Sequence, residues 1–247
     1  MRFDVCAHTY DEHAGPQRFF AERVAEFISS RPKEKILELG AGTGALTRYL
    51  TGMSSSNPAG RGAVDSDIGA AVLATDISPL MVERGRRAVP QALWSVVDAF
   101  NQKVPVATLQ VSSGLLHWAE DPVATLIRWK QSLAPGGRMV HAIPCEPCLT
   151  EWRTLVPESP VPWRRRMEWL EVFKQAGLKV ARSESWTHQA ICSSALEIAR
   201  SFHRTGVTGR VSIGPKRLRQ ALRDYDAQYG EAGGVRATWA WLAVEAA

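Results

Sequence analysis

The feature that most constrains this chain is Glu38-Leu-Gly40-Ala41-Gly42-Thr-Gly44, which follows the short apolar run Lys35-Ile-Leu-Glu-Leu39 and precedes a helical stretch to about Leu50. Closely spaced glycines between a strand and a helix let the backbone approach a ligand and leave the first amides of the helix free to hydrogen-bond it. The loop therefore predicts a ligand at the carboxyl end of the first strand of a parallel sheet. Spacing alone leaves the ligand open. A GxGxxG dinucleotide loop would carry its third glycine at position 45, where this chain has Ala45, and alanine is tolerated there.

The acids around the loop narrow the choice. Glu38 lies two residues before Gly40, where a carboxylate would repel a pyrophosphate and suit an ammonium or sulfonium group, which favours S-adenosyl-L-methionine over NAD. Asp76 ends the second apolar run, Ala70 to Asp76, where it can accept from two ribose hydroxyls; the competing reading is an acid at a helix start beside Ser78. Asp98 closes the third run in Val97-Asp98-Ala99-Phe100, placed to accept from an adenine amino group while the apolar neighbours pack on the ring.

Strands alternate with amphipathic helices to about residue 145, the pattern of a parallel sheet covered on both faces. Strands are expected at 35–39, 70–76, 93–97, 109–113 and 138–143. Helices are expected after Ser78-Pro79 and over Pro122–Leu133, the latter stopping at Pro135-Gly136-Gly137. Thr51 to Asp67, rich in Gly, Ser and Pro, predicts a long flexible insertion. Beyond 145, helices at about 163–176, 193–204 and 215–229 surround a strand at 179–186, and a final strand covers about 237–244. The simplest arrangement is one domain: 1–32 as N-terminal lid helices, 33–145 as the cofactor-binding core, and 146–247 as the cap with the final strands. The fold expected is α/β, a doubly wound, mainly parallel seven-stranded sheet with a helical cap from C-terminal insertions.

Composition excludes several classes. Of 247 residues, 45% are hydrophobic and 22% charged, the balance of an ordinary globular chain rather than a disordered or fibrous one. No apolar run reaches the roughly 18 residues of a membrane helix and the start lacks a signal-peptide core, so a cytoplasmic protein is expected. Four cysteines make no disulfide framework, and Cys145-Glu-Pro-Cys148 lacks a second pair at zinc-site spacing, so no metal is expected. The net charge of +5 is uneven: residues 1–150 hold 15 Lys and Arg against 15 Asp and Glu, and residues 151–247 hold 15 against 10. Arg164-Arg165-Arg166 and Lys216-Arg217-x-Arg219 are the densest basic runs, either solvated helix faces or a surface that steers an acidic partner.

In combination, the ELGAGTG loop, Thr75-Asp76-Ile77-Ser78 with Met81 one turn on, Val96-Val97-Asp98-Ala99-Phe100, and Leu133-Ala-Pro-Gly-Gly-Arg-Met139 resemble the class I, Rossmann-like methyltransferases over about residues 33–143. The resemblance implies S-adenosyl-L-methionine held by Glu38, Gly40, Ala41, Gly42, Gly44, Asp76, Ile77, Met81, Asp98, Ala99, Phe100 and Ser113. A narrower resemblance extends over most of the chain. Phe3-Asp4, Tyr10-Asp11-x-His13, Gln17, Val111 to Trp118, Thr150-Glu151-Trp152-Arg153 and Arg200 to Val207 are similar to the malonyl-acyl carrier protein O-methyltransferases of biotin synthesis. This chain departs from that family in carrying Ser113 and His117 where a serine-asparagine pair and glutamine-tryptophan are usual, Arg204-Thr-Gly206-Val207 in its late segment, and Thr238-Trp239 near its end.

What this resemblance implies is methyl transfer to the carboxylate of a malonyl thioester on acyl carrier protein or coenzyme A. Tyr10 would close the site and contact the cofactor, His117 would meet the acceptor, and Arg153, Arg200 or Arg204 would hold its carboxylate. Each of these residues also has a plain reading as packing or solvated surface. Three alternatives stay open: a methyltransferase for another small carboxylic acid or small molecule, a nucleic-acid methyltransferase, and a cofactor-binding protein without turnover. The nucleic-acid reading is disfavoured because Ser112-Ser113-Gly114-Leu115 stands where adenine methylation needs an acidic or amide residue followed by Pro-Pro-aromatic.

Overall fold

A computed structural model of the chain describes residues 15–29, 31, 34–55, 72–159, 161–205 and 213–247. Tyr10, His13 and the other motif residues before Gly15 lie outside the described residues, as do 56–71 and 206–212.

Among the described residues, eight strands form one sheet: β1 (Ile36–Leu39), β2 (Val72–Asp76), β3 (Leu93–Val96), β4 (Ala107–Ser113), β5 (Leu133–Pro144), β6 (Val180–Cys192), β7 (Gly230–Glu231) and β8 (Gly234–Ala246). Their order is β3-β2-β1-β4-β5-β8-β6, with the two-residue β7 paired to β8 beside this seven-strand path. The first five strands are mutually parallel, and β8 enters antiparallel between β5 and β6. β1 is buried at all four positions, as a central strand covered on both faces must be. The chain reverses its strand order beside β1, and the glycine loop sits at that switch point, where open α/β sheets bind ligands.

Among the described residues, eight α-helices flank the sheet. α1 (Gly15–Phe27), α2 (Thr47–Ser55) and α3 (Pro79–Ala88) contribute to the core that buries Phe20, Val24, Leu50 and Val82. α4 (Pro122–Lys130) and α6 (Arg166–Gln175) bury Leu126, Trp129, Trp169 and Phe173 in a second core. α5 (Thr150–Leu155), α7 (Ala195–Arg204) and α8 (Pro215–Gln228) form the cap, whose own core holds Leu149, Ile198, Phe202 and Tyr225. Local signals set the starts: Ser78 accepts from Met81 N before Pro79, Asp121 accepts from Ala124 N before Pro122, and Ser194 accepts from Glu197 N.

Several boundaries differ from the sequence reading. α2 runs to Ser55, so the expected insertion cannot begin at Thr51. α4 ends at Lys130, well before Pro135, and β5 already starts at Leu133. Ala107 pairs with Leu133 and Leu109 with Arg138, so Ala134 to Gly137 bulge out of the ladder and the turn-forming residues lie inside the strand. β6 and β8 each run 13 residues because each pairs with the other along almost its whole length.

A buried ion network ties the chain after α1 to the far half of the sheet. Arg138 on β5 has a side chain only 3% exposed; it meets Glu34 at 2.8 Å and Glu245 of β8 at 3.1 Å, and donates to Ser29 O. Arg182 on β6 meets the other Glu245 oxygen at 2.8 Å and lies 4.1 Å from the Phe27 ring centroid. Removing one partner of such a network leaves the others buried without compensation, so Arg138→Ala is expected to destabilise the fold by about 3–5 kcal/mol in urea unfolding. A loss below about 1 kcal/mol, the usual worth of a surface pair, would show that the network bears little load.

Candidate functional site

The carboxyl ends of β1, β2, β3 and β4 open into one cavity of about 670 Å³, closed above by α1 and the cap. Gly40 and Gly42 adopt φ of +67° and +56°, the left-handed region that glycine alone takes at little cost. A Cβ on Gly40 would stand 3.0 Å from Leu115 Cδ1, whereas one on Gly42 would meet nothing within 4 Å, leaving the Gly42 backbone open toward the cavity. Ala41 N donates to Thr75 O at 2.8 Å and Gly42 N donates to Asp76 Oδ2 at 2.9 Å, so β2 fixes the loop's shape.

Three acids line this half. Glu38 is 2% exposed and accepts from Thr47 Oγ1 at 2.6 Å. Burial is the main cause that pushes its carboxyl up to about 8; the Thr47 bond opposes the shift and nearby Asp76 adds to it. Asp76 bridges Gly42 N and Ser78 N, one oxygen to each. It therefore joins loop to helix start while still lining the cavity, so both sequence readings of this residue describe part of its setting. Asp98 accepts from Phe100 N at 2.9 Å and Asn101 N at 3.1 Å, turning the chain beside Ala99 and Phe100. Ile77, Met81 and Ser113 line the same cavity.

The opposite half has another character. Trp152, Trp163, Phe202, Trp239 and Trp241 make its wall, with Arg153 and Arg200 as the cavity-lining guanidinium groups. Arg153 is committed: it pairs with Glu146 at 2.8 Å and lies over the Trp163 ring at 4.9 Å. Arg200 makes no ion pair with any described residue. Burial pulls the His117 imidazole down to about 3, so it is neutral near pH 7. The Cys145 and Cys148 thiols are pushed up to about 11 and about 12, chiefly by burial, and Cys145 does not line the cavity, where a nucleophile for cytosine methylation would have to stand.

Two expected site residues do not line the cavity. Gly44, at φ +94°, faces away from the ligand side: a Cβ there would lie 3.1 Å from Val89 and 3.3 Å from Trp94, so its role is close packing between the loop and the α3–β3 region. Arg204, at the end of α7, is exposed, one turn beyond the cavity-lining Arg200. The sequence reading gave Trp163, Trp239 and Trp241 no place in the site. Trp239 and Trp241 alternate along β8 and so share a sheet face, a signal open to sequence once β8 is known to be a strand.

The cofactor half fits S-adenosylmethionine. Gly42 offers open backbone, three acids face the space, and no Lys or Arg among the described lining residues stands on this side to favour a pyrophosphate. Comparison with known proteins agrees. Residues 37–139 match the methyltransferase domain family. The biotin biosynthesis bifunctional protein BioCD of Bordetella avium is 30% identical over 92% of this chain, which spans only 48% of that protein's length. A malonyl-[acyl-carrier protein] O-methyltransferase of Paenibacillus is 24% identical over 97% of this chain and 94% of its own. A Bacillus halodurans protein described as a candidate methyltransferase superposes with a TM-score of 0.65 at 11% identity, covering 92% of this chain and 97% of that one, a likeness of fold.

The buried acid has a consequence for stability. Glu38 binds its proton more tightly in the folded chain than at its ordinary value of 4.5, so the ligand-free fold loses stability as pH rises from about 4.5 to about 8. Glu38→Gln should remove this loss and unfold later than the parent at pH 8.5, by on the order of a few kcal/mol. Parallel melting curves of the two proteins from pH 5 to 8.5 would contradict the assignment.

Proposed function

We propose that this chain, an S-adenosylmethionine-dependent methyltransferase of the class I fold, esterifies the free carboxylate of a malonyl thioester carried on an acyl carrier protein or coenzyme A. The observation that carries the reading is the division of charge within one cavity. Glu38, Asp76 and Asp98 lie where a cationic methyl donor is held, and Arg200 lies where an anionic acceptor would enter. The name of the Paenibacillus relative points to a malonyl group on acyl carrier protein as acceptor.

The cofactor supplies a methyl group on a sulfonium sulfur, an electrophile for an oxygen nucleophile. The glycine loop and the three acids fix its position, with Asp76 at the β2 end and Asp98 beside Phe100 at the β3 end. A carboxylic acid is already ionised near pH 7, so the chain has no proton to remove and His117, with its imidazole near 3, is not needed as a base. Arg200 is the candidate for a bidentate pair with the acceptor carboxylate, because Arg153 is bound to Glu146 and Arg204 stands outside the cavity. Catalysis then rests on alignment and on exclusion of water by α1 and the tryptophan wall.

A carrier protein is acidic, and this chain offers it exposed cations near the cap. Arg165, Lys216 and Arg219 are exposed and make no ion pair with a described residue. The rest of the two basic runs is engaged: Arg164 lies over Trp169, Arg166 donates to Ser183 and Arg217 pairs with Glu158. The aromatic wall favours a second reading, a free carboxylic acid with an apolar body.

Radiolabelled S-adenosylmethionine offered with malonyl-carrier protein, malonyl-coenzyme A, free malonate and an arylacetic acid tests both. Label in a base-labile ester of a malonyl thioester supports the proposal, and Arg200→Ala should then lower kcat/KM for that acceptor by about tenfold or more, roughly 1.4 kcal/mol. Label only in the free acids would replace it with the second reading.

A further inference from the structure

Gln17 Oε1, His117 Nδ1 and the Nε1 atoms of Trp163, Trp239 and Trp241 are enclosed polar atoms without a hydrogen-bond partner among the described residues, and all five belong to residues lining the cavity. Enclosed polar atoms are normally paired, and an unpaired one that lines a cavity is a position a ligand can complete. The indoles only donate, whereas the unpaired atom of Gln17 is an acceptor. It needs a donor. Neither a carboxylate nor a thioester carbonyl brings one, so the acceptor substrate's reacting end cannot satisfy it.

Gln17 lies in the first turn of α1, with Ala21 one turn on, and both line the cavity. α1 packs on α2 and β4, which flank the glycine loop, and on β8, which carries Trp239 and Trp241. It is held there firmly: Phe20 stacks on Trp241 with ring centroids 4.7 Å apart, Phe19 stacks on His188 at 4.4 Å, and Arg182 donates to Phe27 O at the helix end. An amide on a helix so fixed is a positioned group.

We infer that Gln17 binds the amino-acid end of the methyl donor, its side-chain oxygen accepting from the ammonium group and its amide nitrogen free to donate to the carboxylate. The inference rests on the cofactor reading of the site and is independent of the acceptor. It gives α1 a ligand-holding role besides covering the cavity, and it places a neutral group beside the acids that face the donor's positive charge.

Calorimetric titration with S-adenosylhomocysteine and with 5′-methylthioadenosine, which lacks the amino-acid end, tests it. Gln17→Met keeps the length of the side chain and its helix preference, and in ligand-free melting it should unfold no earlier than the parent, because an unpaired enclosed oxygen is removed. It should weaken S-adenosylhomocysteine by about tenfold while leaving 5′-methylthioadenosine within about twofold. Gln17→Ala, measured alongside, should show the same ratio even if its packing is poorer. Unchanged affinity for S-adenosylhomocysteine, or an equal loss for both ligands, overturns the inference. Failure of the parent protein to bind S-adenosylhomocysteine would overturn the cofactor reading itself, and this inference with it.

Discussion

The site is organised around a carboxyl group buried at the end of the central strand. Glu38 takes one hydrogen bond from Thr47 and has Asp76 as its charged neighbour; among the described residues it forms no salt bridge. An acid so placed is held neutral by burial until a positive charge arrives. The glycine loop bends immediately after it, with its backbone open at Gly42, and β2 pins that bend through Ala41 and Gly42. The parallel order of β1, β2 and β4 brings these pieces to one edge, where a ligand with a cationic centre would meet its complement.

The second half of the chain builds the opposite wall of the cavity. β8 enters antiparallel between β5 and β6, which carries Trp239 and Trp241 into the cavity wall and lets α5, α7 and α8 build a separate small core above the sheet. The result is a cavity with acids at one end and Arg200 at the other. That gradient distinguishes the site from a dinucleotide pocket, whose pyrophosphate calls for positive or neutral surroundings near the glycines.

Much of the core was legible in the sequence because its signals are local. The loop, Asp76, Asp98 and the helix starts at Ser78-Pro79 and Pro122 each follow from residues within a few positions, and each of these elements lies where the sequence places it. What depends on distant pairing was not legible. Pro135-Gly136-Gly137 reads as a turn, yet pairing with β4 absorbs it as a bulge within β5. β6 and β8 are longer than their apolar patterns because each is the other's partner. The same limit applies to the site: Gly44 shares the motif with Gly40 and Gly42 but its packing against Trp94 is a tertiary contact, and Arg200 and Arg204, one turn apart on α7, separate only once that helix is placed. The proposed lid residue Tyr10 lies outside the described residues.

Proton counting tests the central claim, that Glu38 is the counter-charge awaiting the donor. At pH 6.5 its carboxyl, raised to about 8, is protonated in the free protein, and a bound cation favours the ionised form. Titrating S-adenosylmethionine calorimetrically in buffers of differing ionisation enthalpy should therefore reveal release of up to about one proton per site, abolished in Glu38→Gln. Binding without proton release, or the same release from both proteins, would contradict the account.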